Sequence, residues 1–186
     1  MEKAGQKTVS GIVLALVLLL AGAMALYFFV VAPSVQPPLK TEPTAPEMTL
    51  VRLYFGHPSD AFLVAEPRAL LLPADPSAKA LKIMEALLEG PRQEGISVIP
   101  NGARLNSVFV DDKGICHVDF SREIRQNHPG GSAGEAMTIW SVVDTLVLNV
   151  DEIRSVNLLI EGQQEETLAG HLDIRRPLGP DLRLIK

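Results

Sequence analysis

A chain of 186 residues with a net charge of −5 and 47% hydrophobic residues is long enough for one ordinary core plus shorter segments. Residues 1–7 contribute +1 (Lys3 and Lys7 against Glu2), so the rest carries −6, which counts against a nucleic-acid partner and against a domain lying flat on anionic lipid. A single cysteine, Cys116, excludes an intramolecular disulfide.

Between Lys7 and Lys40 there is no charged residue or histidine, and Ile12 to Val31 is apolar apart from Gly22. At about 1.5 Å per residue this run matches a bilayer's hydrocarbon core of roughly 30 Å. It is longer than a secretory signal's apolar region and ends in Tyr27, Phe28 and Phe29, suited to an interfacial membrane belt. The expectation is a single-pass anchor in the cytoplasmic membrane, with Lys3 and Lys7 inside and the C-terminal part extracytoplasmic. Pro33, Pro37, Pro38, Pro43 and Pro46 follow at a density that favours an extended spacer. The expected division is 1–31 cytoplasmic tip and transmembrane helix, 32–48 proline-rich linker, and 49–186 domain.

Within the domain, Leu50–Phe55 reads as a strand with Val51, Leu53 and Phe55 on one face, and Gly56–Asp60 as a turn. Ala61–Leu72 is apolar but interrupted by Glu66-Pro67-Arg68, and fits either one broken strand or a hairpin. Asp75 and Pro76 open a helix that Gly90-Pro91 stops, with Leu81, Met84, Leu87 and Leu88 as its buried stripe. Ser97–Pro100 is an apolar link. Leu105–Asp111 and Ile115–Phe120 form a hairpin about Asp112-Lys113-Gly114, burying Val108, Val110, Cys116, Val118 and Phe120 and leaving His117 and Asp119 exposed. Cys116 is expected to be an inert buried thiol. After an irregular loop at Asn127–Gly131, Ser132 and Glu135 have capping-box spacing for a second helix reaching about Leu148, with Trp140 in its core stripe. Ser155–Ile160 is a strand, and His171–Ile174 a short edge strand. The whole predicts an α+β chain: a transmembrane helix, then a small βαββαβ-like two-layer domain with two helices on one face of a sheet.

No catalytic constellation emerges. His57, His117, His128 and His171 lack metal-ligand spacing, and there is no H-E-x-x-H or C-x-x-C. Asp111 and Asp112 sit in a turn, where aspartate serves local hydrogen bonds. The glycine-rich approach to the second helix resembles an anion cradle, but it lacks the P-loop lysine, and Glu135 puts negative charge where a phosphate would sit.

The pieces Leu53-Tyr54-Phe55, Leu87-Leu88-Glu89-Gly90-Pro91, Ile99-Pro100-Asn101-Gly102, His117-Val118-Asp119-Phe120-Ser121, Gly131–Glu135, Val143-Asp144-Thr145-Leu146 and Leu168-Ala169-Gly170-His171 occur in one order. Together they resemble the GerMN domain, named for a sporulation and spore-germination protein. The resemblance implies an extracytoplasmic, membrane-tethered module with a fold similar to ring-building motifs, and it transfers no catalytic residue. This chain has one such domain, and an apolar run in place of a lipid-attachment cysteine. The expectation is therefore a noncatalytic envelope protein without cofactor or metal, whose partner is an envelope protein or a second copy. The loop residues Asn127, His128, Gly130, Gly131 and Ser132 are the candidate interaction site. The alternative is a peptidoglycan-binding module assisting a wall-remodelling amidase, and a third reading is a hydrolase using Asp119, His117 or His171.

Overall fold

The computed structural model describes residues 16–27, 29 and 47–186. The chain divides into two compact units, 1–42 and 43–186. In the first, residues 16–27 form helix α1, whose apolar side chains are exposed (Leu19 at 71%, Tyr27 at 61%), as is Phe29. Among the described residues no helix is long and apolar enough to cross a membrane. The expected span is thus seen only as this shorter helix; its remaining positions, including Phe28, and the spacer as far as Pro46 lie outside the described residues.

The second unit begins with strand β1 (Glu47–Gly56), so the last linker positions are already strand. β1 pairs antiparallel with β2 (Leu63–Leu72). The interrupted run is thus a single strand, because Glu66 and Arg68 point inward with Leu70 and Leu72 and satisfy one another. Pro67 faces outward on a sheet edge, where its missing N–H costs no ladder bond. Helix α2 (Pro76–Leu88) starts where expected: the Asp75 carboxylate accepts the Ala78 N–H at 2.8 Å. Its buried face is Ala80, Ile83, Met84 and Leu87, while Leu81 is 36% exposed. Met84 and Leu87 belong to the expected stripe and Leu88 packs at its edge, whereas Ala80 and Ile83 are buried in place of Leu81.

Strands β3 (Leu105–Val110) and β4 (Ile115–Phe120) form the expected hairpin. Cys116 is fully buried in β4, and burial pushes its thiol up to about 12, so it is inert at neutral pH. A one-turn helix, α3 (Glu123–Gln126), precedes α4 (Ser132–Val147). β5 (Ser155–Ile160) then pairs parallel with β4, and the two-residue β6 (Gln163–Gln164) adds antiparallel. There are therefore two sheets, β1-β2 and β3-β4-β5-β6, rather than one. α2 packs on β3, α4 packs on β1 and β5, and the two helices touch, which closes one core over the inner faces of both sheets. His171–Ile174 is not a strand; it is held by one bridge between Thr167 and Asp173, and Ile174 is buried. Trp140 is only half-buried, with Nε1–H donating to the Gly179 carbonyl at 3.2 Å.

α4 seals β1 with side chains. The Ser141 hydroxyl donates to the Tyr54 carbonyl at 2.6 Å, and the Tyr54 N–H donates to the Thr145 hydroxyl at 3.1 Å. Asn149 beyond the helix end both accepts from the Arg52 N–H (2.8 Å) and donates to the Arg52 carbonyl (2.7 Å). These groups of β1 face away from β2, so the helix occupies the place of a third strand. Hydrogen exchange is expected to show the Arg52 and Tyr54 amides protected, with Thr145→Val accelerating Tyr54 at least tenfold; unchanged exchange in that variant contradicts the assignment.

Candidate functional site

The candidate loop meets two other segments at the end of α4. After β1, the chain turns back so that the His57 N–H donates to the Phe62 carbonyl at 2.9 Å, and the His57 ring stacks on Phe62 at 4.4 Å. The Ser59 N–H donates to His57 Nδ1 at 3.3 Å. Opposite, Ile96 exchanges two backbone hydrogen bonds with Gly56 (2.8 and 2.9 Å). Gly56 must be glycine here: a β-carbon would lie 2.5 Å from the Val98 side chain. The third wall is the loop from α3 to α4, where Asn127 Nδ2 donates to the Asn101 carbonyl at 2.7 Å.

Between these walls lies a groove of about 570 Å³. Ile96, Val98, Met137, Pro58, Pro100 and Pro129 supply its apolar surface; His57, Asn101, Asn127 and His128 supply the polar rim. Ile96 is 45% exposed, so the groove keeps part of its apolar wall open to solvent.

His128 organises the loop. The Gly130 N–H donates to Nδ1 at 2.9 Å, which places the ring proton on Nε2, 3.0 Å from the Thr138 hydroxyl. That hydroxyl donates onward to the Val98 carbonyl at 2.6 Å. The chain of bonds ties two groove walls to α4 and requires the neutral ring; burial lowers the His128 pKa in agreement. Both groove histidines thus hold backbone on Nδ1.

Of the sequence-predicted loop residues, Asn127 and His128 line the groove. Gly130 bonds to His128, Gly131 is the N-cap at φ 82°, and exposed Ser132 is the first helical residue. The expected capping box does not form. Gly131 has no side chain to cap with, and Glu135 is fully buried and turned the other way. Its carboxylate accepts the Ala169 and His171 N–H groups at 2.8 Å each and faces His171 Nδ1 at 3.2 Å. Burial alone raises its pKa, but the N–H groups of Ala169, Leu172 and His171 outweigh this and hold it below the ordinary 4.5. Glu135→Ala is expected to cost about 2–4 kcal/mol by leaving those donors unpaired, with Glu135→Gln losing less. Urea unfolding at pH 7 checks this, and an alanine variant within 0.5 kcal/mol of the parent contradicts it.

The residues of the hydrolase reading do not meet. Asp119 is buried rather than exposed, because its Oδ1 accepts the Gly162 N–H at 2.8 Å and Oδ2 the Asn106 amide at 3.2 Å, closing the β5–β6 turn. His117 lies between Asp111 (3.4 Å) and Asn157 (3.2 Å) on the outer sheet face, and His171 belongs to Glu135. Among the described residues no group of three or more His, Cys, Asp or Glu is placed to hold a metal. Sequence reasoning missed the 96–101 wall and Met137 as groove residues. The only available signal was a short apolar run with nothing to pack against in its own segment.

A family model described as "Germane: Sporulation and spore germination" matches residues 52–166. No match to a curated protein was found. Among solved structures, a candidate lipoprotein from Clostridium perfringens is 22% identical, with 71% of this chain and 87% of that chain covered and a TM-score of 0.50. The first GerMN domain of the sporulation protein GerM from Bacillus subtilis is similar at 22% identity, covering 72% and 96%, with a TM-score of 0.50. The tandem GerMN domains of the same protein match at 22% identity over 73% of this chain and 46% of that one, with a TM-score of 0.50.

Proposed function

This chain belongs to the Germane family of sporulation and spore germination domains, and from that premise we propose that it is a noncatalytic, membrane-tethered extracytoplasmic module that binds an envelope protein through the groove beside His128. The carrying observation is the groove itself: an open, largely apolar trough whose walls are pinned by bonds from His128, Thr138 and Asn127. Pinned walls lower the ordering cost of binding an extended segment of another protein. The histidines on its rim spend Nδ1 on backbone, which suits a structural role.

The tether in this reading is the apolar run 12–31 as a single-pass anchor, with the domain extracytoplasmic. The similar C. perfringens protein, a candidate lipoprotein, supports a membrane location. Cys116, the chain's sole cysteine, is buried in β4 and unsuited to lipid attachment. Peptidoglycan is the competing ligand, but among the described residues no Phe, Tyr or Trp lines the groove to stack on a sugar.

A photocrosslinking residue placed in the full-length chain at Ile96 or Asn127, with Phe109 on the outer sheet face as control, tests the reading in cells. Capture of a defined envelope protein from the groove positions but not from Phe109, and a Kd for that protein weakened at least tenfold by Ile96→Asp, is the expected result. Equal capture from Phe109, or recovery of wall fragments alone, overturns it.

A further inference from the structure

The β1-β2 sheet is sealed on one side and open on the other. On β1 the outward groups of Arg52, Tyr54 and Gly56 are taken by Asn149, by α4 and by Ile96 respectively. The register then turns the N–H and C=O groups of Ala69 and Leu71 away from β1, and among the described residues they meet no partner. Two prolines, Pro67 and Pro73, bracket this open stretch. The outer face beside it is apolar and bare: Met48 is 63%, Leu50 71% and Leu71 55% exposed, in cross-strand pairs Met48–Leu71 and Leu50–Ala69.

We propose that a second copy of this chain adds its own β2 antiparallel to this edge about a two-fold axis at Leu70. The choice of a second copy follows from the register. With the axis at Leu70, Ala69 faces Leu71 of the other copy and each pair exchanges both backbone bonds. The prolines fall opposite each other just outside, and since neither has an N–H to donate, the pairing is confined to the Ala69–Leu71 stretch. The same axis continues the outer face as two rows of Leu50-Ala69-Leu71-Met48, running from one copy into the next with no charge between them and Arg52 at the far ends. An isologous contact of this size is small, so it rests on the tethered reading for one thing: anchoring concentrates copies at one surface.

The test uses the full-length chain reconstituted in lipid vesicles. Leu70→Cys is treated with a mild copper–phenanthroline oxidant, with Ala65→Cys as an off-axis control; the parent chain controls for Cys116. Leu70→Cys is expected to form a disulfide dimer at least tenfold faster than Ala65→Cys. Adding Ala69→Pro, which removes an N–H that β1 does not use, is expected to slow it at least tenfold. Because Leu70 is half-buried, Förster transfer between differently labelled but otherwise unaltered chains in the same vesicles, with and without Ala69→Pro, gives a second readout in which the dimer constant weakens at least tenfold. Equal rates for the two cysteines, insensitivity to Ala69→Pro, or a monomer throughout overturns the proposal. The groove residues take no part in this pairing, so a failed capture at Ile96 with the dimer intact counts against the groove reading alone.

Discussion

Arg68→Ala is expected to destabilise the domain by about 3–5 kcal/mol, the cost of removing one partner from a buried ion pair. Glu66 and Arg68 are both about 95% buried and bonded to each other. Arg68 also donates to the carbonyls of Ala86 (2.8 Å) and Gly90 (3.0 Å), the unpaired acceptors at the C-terminal end of α2, where a cation is favoured. Glu66 meanwhile accepts the N–H groups of Arg92 (2.8 Å) and Gln93 (3.0 Å). One pair therefore ties β2, the end of α2 and the following loop together. Truncating the arginine strands a buried carboxylate and two carbonyls. Burial raises the Glu66 pKa, but Arg68 and the two N–H groups prevail and hold it below the ordinary 4.5. Its stabilising contribution is thus complete above that value and lost as pH falls through the lowered pKa. Chemical denaturation of parent and variant at pH 7 reads the difference, and a loss below 1 kcal/mol contradicts the assigned role. Because Arg92 and Gln93 lead into the wall that holds Ile96, the variant should also weaken partner capture.

The second large effect has the opposite sign. Asp144, in the last turn of α4, is fully buried; Oδ1 accepts the Asp181 N–H at 3.0 Å while Oδ2 meets no donor among the described residues. Burial raises its pKa from 3.8 to about 6, the Asp181 N–H offsetting part of this and the Asp181 charge adding to it. A folded-state pKa above the unfolded one means that the protonated form is the stable one. The contribution of Asp144 is full below 3.8 and is lost as pH rises through about 6. Asp144→Asn keeps the Oδ1 acceptor and carries no charge, so its stability relative to the parent should rise across that window by on the order of 3 kcal/mol. Comparing the relative stability at pH 3.5 and 7.5 cancels the pH-independent cost of burying the amide. A flat difference between the two pH values contradicts the assignment. At pH 7.5 the parent therefore holds its C-terminal segment on a strained acid.

Features written in neighbouring residues were legible in the sequence. Asp75-Pro76 starts α2, and the Asp112-Lys113-Gly114 turn joins β3 to β4, because capping and turn chemistry act within four residues. What was not legible depends on distant partners. Glu66-Pro67-Arg68 reads as a break because charges usually face water; only the fold brings Ala86, Gly90 and Arg92 to them. Their i, i+2 spacing in phase with Leu70 and Leu72 was the available hint. Ser132 and Glu135 have the right spacing for a capping box, yet the 168–172 loop outbids Ser132 for the carboxylate. The parallel pairing of β4 with β5 follows from a crossover through α4 that no local pattern encodes. At the groove, Asn127 and His128 were found as irregular loop, whereas Ile96 and Met137 came from segments that meet only after folding.

The seal along β1 works because two different rulers nearly agree. Ser141, Thr145 and Asn149 are four apart, a step of about 6 Å on a helix, and alternate strand residues step by about 6.8 Å. The match holds for one step, from Asn149 at Arg52 to Thr145 at Tyr54, and the next step falls short of Gly56. Asn149 serves Arg52, while Thr145 and Ser141 serve Tyr54. One further helical step reaches Met137, which has no group to offer, and there Gly56 turns to the backbone of Ile96. The place where the scales run out is where the strand leaves the helix, and the groove opens in the gap.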